Sequence, residues 1–195
     1  MSSPGVLNEQ VTTGSWAGWN ERSERLIEAA AVICKLRTGE QVKHRGKFYA
    51  VEAQLCDSPA SPIPLLMAEN GPKAMRRAGQ FAEGSMTHPK TRKQFKQEFE
   101  GGAKAAGTDP AQMPVLVEQF VVVGVRKEAE RAANLWRFLP KAFKTYYNIP
   151  DPKTIQQRAE GEIPRETVYG DWPVSTDPDV HLRTLMNCST GAPPL

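Results

Sequence analysis

The most constraining feature of the sequence is a valine-rich run in the middle of the chain, PVLVEQFVVVGV at residues 114–125. β-Branched residues at this density favour a strand over a helix. The run is too short for a membrane-spanning helix, which needs about 18 apolar residues. Strands that are apolar on both faces are typical of parallel sheets covered by helices. We therefore predict a strand at 114–123 in a buried parallel sheet.

Helices and strands alternate along the rest of the sequence. Apolar spacing, capping residues and glycines predict helices at 20–38, 73–82, 90–106 and 126–139. They also predict shorter helices up to about residue 161 and a last helix capped by Asp177. Asn20 is the expected N-cap of the helix at 20–38. The remaining signals predict a hairpin and two short strands, at 42–53, 63–68 and 84–87. This order of elements predicts an α/β fold with a parallel sheet.

The composition argues against several classes of protein. The 195 residues carry a net charge of +3, too small to indicate nucleic-acid binding, and no apolar run is long enough to span a membrane. Residues 1–5 have neither the basic nor the apolar region of a signal peptide. The three cysteines and three histidines are scattered without metal-ligand spacing. We therefore expect reduced thiols, a cytoplasmic location and no metal site.

One turn has the residues of a ligand site. The sequence ENGP at residues 69–72 lies between a predicted strand and a predicted helix, and ligands of parallel α/β folds bind at the carboxyl ends of strands. Asn70 is placed to cap the helix, Gly71 lets a ligand approach the backbone, and Pro72 suits the first helical position. The free N–H groups and the helix dipole would favour an anion such as a phosphate. The same residues also suit a turn that only caps the helix, and this alternative stays open.

Several stretches, in the right order, resemble the luciferase-like oxidoreductases, and most of all the branch of coenzyme F420-dependent glucose-6-phosphate dehydrogenases. The resemblance extends to about Arg183 and is carried by LNEQVTTGSW (7–16), ERSERLIEAAAVICKLRTGE (21–40), HRGKFYAVEAQLCDSP (44–59) and PLLMAENGPKAMRRAGQFAEG (64–84). It implies a TIM (β/α)8 barrel with insertions. It also implies hydride transfer between a substrate carbon and the deazaflavin ring of coenzyme F420.

The resemblance also implies binding residues. Positions that contact the coenzyme in this family fall on Asn8, Asn70, Gly71, Lys73 and Ala74. Positions near the substrate phosphate fall on Thr87 and Lys90.

Other family features have no counterpart in the chain. An acidic residue that serves the chemistry falls on Gly5, which cannot act as a general acid. The catalytic histidine and aspartate of the family match no part of the sequence, so we assign no catalytic residue. Two further phosphate-binding positions fall on Tyr147 and Asp171. Because a carboxylate repels a phosphate, this argues against glucose 6-phosphate and leaves an unknown substrate of the alcohol or aldehyde type.

The number of strands predicts an incomplete barrel. Three barrel-type strands are expected, at 63–68, 84–87 and 114–123, whereas a closed barrel of this class has eight. We therefore expect one partial barrel domain over 1–195, a truncated member of the family that lacks the first strands and the last. Residues 184–195 contain a glycine and two prolines, and we expect them to form an irregular tail.

These observations support three hypotheses. The first is an F420-dependent oxidoreductase that acts on a small-molecule substrate and can form a homodimer. The second is an FMN-dependent luciferase-like monooxygenase, because the same turn would hold either phosphate. The third is a non-catalytic remnant or assembly partner, because the family's catalytic residues are not matched.

Overall fold

A computed structural model describes residues 17–142, 144–146 and 149–190 of the chain. These residues fall into two compact units, 17–118 and 119–190, and each unit is described by itself. No helix in the described ranges is long and apolar enough to cross a membrane.

The first unit contains three helices, a hairpin and a three-stranded sheet among its described residues. In chain order they are α1 (Trp19–Leu36), β1 (Val42–Arg45), β2 (Ala50–Ala53), β3 (Leu66–Ala68), α2 (Pro72–Phe81), β4 (Gly84–Thr87), α3 (Pro89–Ala105) and β5 (Val115–Val117), with a 3-10 turn at Pro110–Gln112 before β5. Strands β1 and β2 are antiparallel and form the predicted hairpin. The strand 84–87 and the helices 73–82 and 90–106 are confirmed to within one residue.

The sheet of the first unit is parallel, in the order β3-β4-β5. Its register places Met67 opposite Ser85, and Ser85 opposite Val115. One face of the sheet packs against α2 and α3, where Met67 joins a buried cluster that includes Met75 and Phe99. The predicted α/β class with a parallel sheet is therefore confirmed in this unit.

Two local expectations for the first unit are wrong. Gly18, not Asn20, is the N-cap of α1, and no side chain caps this end. The strand expected at 63–68 begins only at Leu66, and Ile63 is 71% exposed. Prolines at 62 and 64 have no N–H group to donate to a neighbouring strand, which fits the late start.

The valine-rich run is two strands, so the single strand predicted at 114–123 is also wrong. Strand β5 ends at Val117, and a separate strand, β6, covers Val122–Val123 in the second unit. Strand β6 pairs in parallel with β7 (Val174–Ser175), which the sequence reading did not predict. The polar pair Glu118-Gln119 interrupts the run, and pairing with a segment fifty residues away is not visible in local periodicity.

The second unit is mostly helical. Its helices are α4 (Arg126–Leu135), α5 (Pro152–Glu162), α6 (Arg165–Tyr169) and α7 (Pro178–Thr190), with a 3-10 turn at Leu139–Lys141. The predicted helix 126–139 is therefore shorter, because Trp136 already has a non-helical φ of −116°. The core of the unit is built around fully buried Tyr146 and the small residues Ala129 and Ala133.

The last helix begins as predicted and ends later than predicted. A carboxylate oxygen of Asp177 accepts a hydrogen bond from the Asp179 N–H at 2.9 Å, which is the expected cap. Helix α7 then continues to Thr190, so the expectation of an irregular tail is wrong for 184–190. No proline or glycine interrupts these residues before Gly191. Residues 191–195 lie outside the described part of the chain.

Candidate functional site

The candidate site lies at the carboxyl edge of the sheet β3-β4-β5. Hydrogen bonds beyond the strands themselves fasten the three strand ends together. The Glu69 N–H donates to the Met86 carbonyl at 3.0 Å, and the Glu118 N–H donates to the Thr87 carbonyl at 2.9 Å. The Thr87 hydroxyl donates to the Glu69 carbonyl at 2.8 Å. This edge therefore provides a fixed base for the turn that follows β3.

The turn leads directly into the N-terminus of α2. Gly71 is the N-cap residue, Pro72 occupies the first turn, and no side chain caps this end. The first backbone hydrogen bond of the helix runs from the Met75 N–H to the Gly71 carbonyl, at 2.8 Å. The N–H groups of Lys73 and Ala74 therefore point out of the helix end, where the positive end of the helix dipole attracts anions. The role of N-cap that we expected for Asn70 is wrong, because that residue precedes the cap and is exposed.

Gly71 leaves open space at the helix end. A Cβ atom built on this residue meets no described atom within 4 Å. Its φ of −162° and ψ of 166° are those of extended backbone, which any residue can adopt. The fold of the described residues therefore does not require glycine here. A bare backbone at this position fits a ligand that approaches the turn closely.

The charges around the turn are predominantly positive. Helix α2 has no acidic residue in its first turn, and it carries Lys73, Arg76 and Arg77. The guanidinium of Arg77 lies over the Trp19 ring, 4.5 Å from its centroid, and donates to the Ser23 hydroxyl of α1. The absence of acidic residues from the first turn, and the presence of Lys73 in it, make this end of α2 suited to an anion.

Glu69 is the one acidic residue of the turn, and it is buried, with 5% of its surface exposed. Burial raises the pKa of its carboxyl group from 4.5 to about 7, although the charge of Arg77 acts in the opposite direction. Because this pKa lies near neutrality, the carboxyl group is largely protonated at slightly acid pH and adds little negative charge to the turn there. In the sequence, only the position of Glu69 directly after a predicted buried strand pointed to this carboxyl group.

The structure brings most of the predicted site residues to one place. Asn70, Gly71, Lys73 and Ala74 form the turn and the first turn of α2. Thr87 is buried behind this turn, with 4% of its surface exposed. Lys90 is exposed in the first turn of α3, and its N–H donates to the N-cap side chain of His88 at 3.3 Å. Asn8 lies outside the described residues.

A helix N-terminus at the carboxyl edge of a parallel sheet is the ligand-binding arrangement of the α/β proteins as a class. Comparison with known families gives the identity within that class. The model of the luciferase-like monooxygenase family matches residues 5–184, and the chain belongs to this family. The resemblance to the luciferase-like oxidoreductases, noted from the sequence, is therefore confirmed.

Among similar proteins, an F420-dependent hydroxymycolic acid dehydrogenase of Mycobacterium tuberculosis is 39% identical over 179 residues, covering 90% of this chain and 48% of that protein. An F420-dependent glucose-6-phosphate dehydrogenase of Nakamurella multipartita is 30% identical over 186 residues, covering 92% of this chain and 55% of that protein. The chain thus spans about half the length of these curated relatives.

The fold also matches a solved structure. An F420-dependent secondary alcohol dehydrogenase, in complex with an F420-acetone adduct, superimposes with a TM-score of 0.84 and 26% identity. The match covers 98% of this chain and 60% of that structure. The predicted fold class, part of a luciferase-like (β/α) barrel, is therefore confirmed.

Proposed function

We propose that the chain carries the coenzyme-binding turn of an F420-dependent oxidoreductase. One observation carries the proposal: the uncapped N-terminus of α2 opens at the carboxyl edge of the sheet, with free space at Gly71. The names of the similar proteins support it, because the hydroxymycolic acid, glucose-6-phosphate and secondary alcohol dehydrogenases are all F420-dependent.

The residues of the turn fit a phosphate-bearing coenzyme. The N–H groups of Lys73 and Ala74 would donate to phosphate oxygens, and the Lys73 ammonium group would add a positive charge. Asn70 and Gly71 would line the close approach, and Asn8 remains a predicted contact. When bound, the deazaflavin ring of the coenzyme supplies hydride transfer to or from a substrate carbon.

The substrate in this proposal is an alcohol or the corresponding carbonyl compound. Two of the similar proteins have names that specify a hydroxymycolic acid and a secondary alcohol. Lys90, at the same edge as the turn, is proposed as a residue on the substrate side. Cytoplasmic location, a homodimer and a single partial-barrel domain stay predictions.

Equilibrium titration of the purified chain with coenzyme F420 tests the proposal, with FMN titrated in parallel. Quenching of coenzyme fluorescence reports the dissociation constant. We expect saturable binding of F420 that is at least tenfold tighter than binding of FMN. Tighter binding of FMN would favour the monooxygenase, and no binding of either would favour the non-catalytic hypothesis.

A matched pair of variants locates the site. Gly71→Asp places a carboxylate at the helix end, and Gly71→Asn places an uncharged side chain of the same shape there. Since both side chains are good N-caps, both variants should be a few tenths of a kcal/mol more stable than wild type. We expect the Asp variant to bind F420 at least tenfold more weakly than the Asn variant, because its charge repels the phosphate. Equal affinities would place the coenzyme elsewhere.

A further inference from the structure

We propose that Thr87 is a positioning residue that orients the turn 69–72 from behind. Its hydroxyl group donates to the Glu69 carbonyl at 2.8 Å, across 18 residues of sequence. Its own carbonyl accepts from the Glu118 N–H at 2.9 Å. Thr87 therefore links the end of β4 to the ends of both neighbouring strands.

This hydrogen bond fixes the first peptide unit of the turn. The peptide group is planar and, in the described residues, trans. The N–H of Asn70 therefore points opposite to the Glu69 carbonyl, away from the Thr87 hydroxyl. Because the Thr87 hydroxyl holds the Glu69 carbonyl, it fixes the plane of this peptide group. Gly71 and the first turn of α2 continue from that plane.

The same geometry makes Thr87 a poor direct ligand for a substrate phosphate. The only proton of its hydroxyl group is already donated to the Glu69 carbonyl, and an anion needs a donor. The residue is also 4% exposed. The resemblance implies that Thr87 lies near the substrate, and this stays a prediction; the hydrogen bonds in the structure join Thr87 to the strand ends beneath the turn.

Ser85 provides an internal comparison. It lies two residues earlier on the same strand, and therefore on the same face of the sheet. Its side chain is fully buried, and its hydroxyl oxygen has no hydrogen-bond partner among the described residues. Ser85 is therefore a buried hydroxyl residue on the same face that makes no hydrogen bond to the turn, and it serves as a control for Thr87.

Amide hydrogen exchange in the ligand-free chain tests the positioning role without any coenzyme. The reporters are the amides of Glu69 and Met75, which donate to the Met86 and Gly71 carbonyls, and the reference is the amide of Ser85, which donates to the Pro114 carbonyl. Thr87→Val removes the hydroxyl group at nearly constant volume. After correction for intrinsic exchange rates, we expect the protection factors of the two reporter amides to fall about fivefold relative to that of the reference, whereas Thr87→Ser and Ser85→Ala leave this ratio unchanged. An unchanged ratio in Thr87→Val would overturn the inference.

The second readout is the affinity for coenzyme F420, and this part rests on the proposed function. We expect Thr87→Val to bind F420 about tenfold more weakly, with Thr87→Ser and Ser85→Ala close to wild type. Equal binding by Thr87→Val, or no rescue by Thr87→Ser, would contradict the positioning role. If wild type does not bind F420, the proposed function fails, and the exchange ratio still decides whether Thr87 holds the turn.

Discussion

Glu69 is the residue whose ionisation most directly affects the turn. Its carboxyl group is buried, and its pKa is raised from 4.5 to about 7. The folded state therefore retains a proton between these two pH values that the unfolded state has lost. It follows that the contribution of Glu69 to stability falls as the pH rises through this window and is constant above it.

Glu69→Gln should remove this dependence. Relative to wild type, we expect the variant to gain about 2 kcal/mol of unfolding free energy between pH 5 and pH 8. Urea denaturation at the two pH values measures the difference, and Glu40→Gln, at an exposed carboxylate of the same unit, is the matched control. Parallel behaviour of wild type and Glu69→Gln would show that this carboxyl group titrates normally.

Helices α2 and α3 cross with their backbones nearly in contact. A Cβ atom on Gly79 would lie 2.1 Å from the Phe99 carbonyl oxygen, and one on Gly102 would lie 2.0 Å from the Arg76 carbonyl oxygen. Neither backbone atom can move away as a side chain would. The two glycines therefore allow α2 to pack closely against α3, and this contact helps to hold the N-terminus of α2 at the sheet edge.

Two adjacent glycines of α3 should respond in opposite ways to alanine. Gly102→Ala forces the helices apart, and we expect a loss of about 1–3 kcal/mol in unfolding free energy. Gly101→Ala meets only the end of the Arg76 side chain, at 3.2 Å, and helix propensity should make it more stable by about 0.5–1 kcal/mol. Chemical denaturation of both variants is the measurement. Equal effects at the two positions would mean that the crossing is looser than described.

At the scale of elements, the sequence was informative where signals are local. Proline marks the start of α2 and of α3, and Gly107 follows the end of α3, so both helices were predicted to within one residue. The valine-rich run was misread because its division between two sheets depends on pairing partners distant in sequence. The same distinction applies to the site. The turn 69–72 could be predicted from local residues as a candidate ligand site, and its role stays a prediction. The contact between Thr87 and Glu69 could not, because it exists only after β3 and β4 have paired.

For the whole molecule, the central question is whether the chain binds coenzyme F420 at this turn. We propose that this chain of the luciferase-like family, which spans about half the length of its curated relatives, carries a binding site for the phosphate of coenzyme F420. The net charge of +3 favours encounter with an anionic coenzyme. The turn 69–72 follows the sheet β3-β4-β5 and leads into helix α2, and all of these elements lie within one compact unit.

The most direct measurement is an amide NMR titration of the isotopically labelled chain with coenzyme F420. We predict saturable chemical-shift changes at the amides of Gly71, Lys73 and Ala74. These changes should give the same dissociation constant as the fluorescence titration. Amides of the hairpin β1–β2 should remain unchanged and serve as the internal control. The claim would be contradicted if the amides of the turn did not move at coenzyme concentrations that saturate the fluorescence change, or if no binding occurred at all.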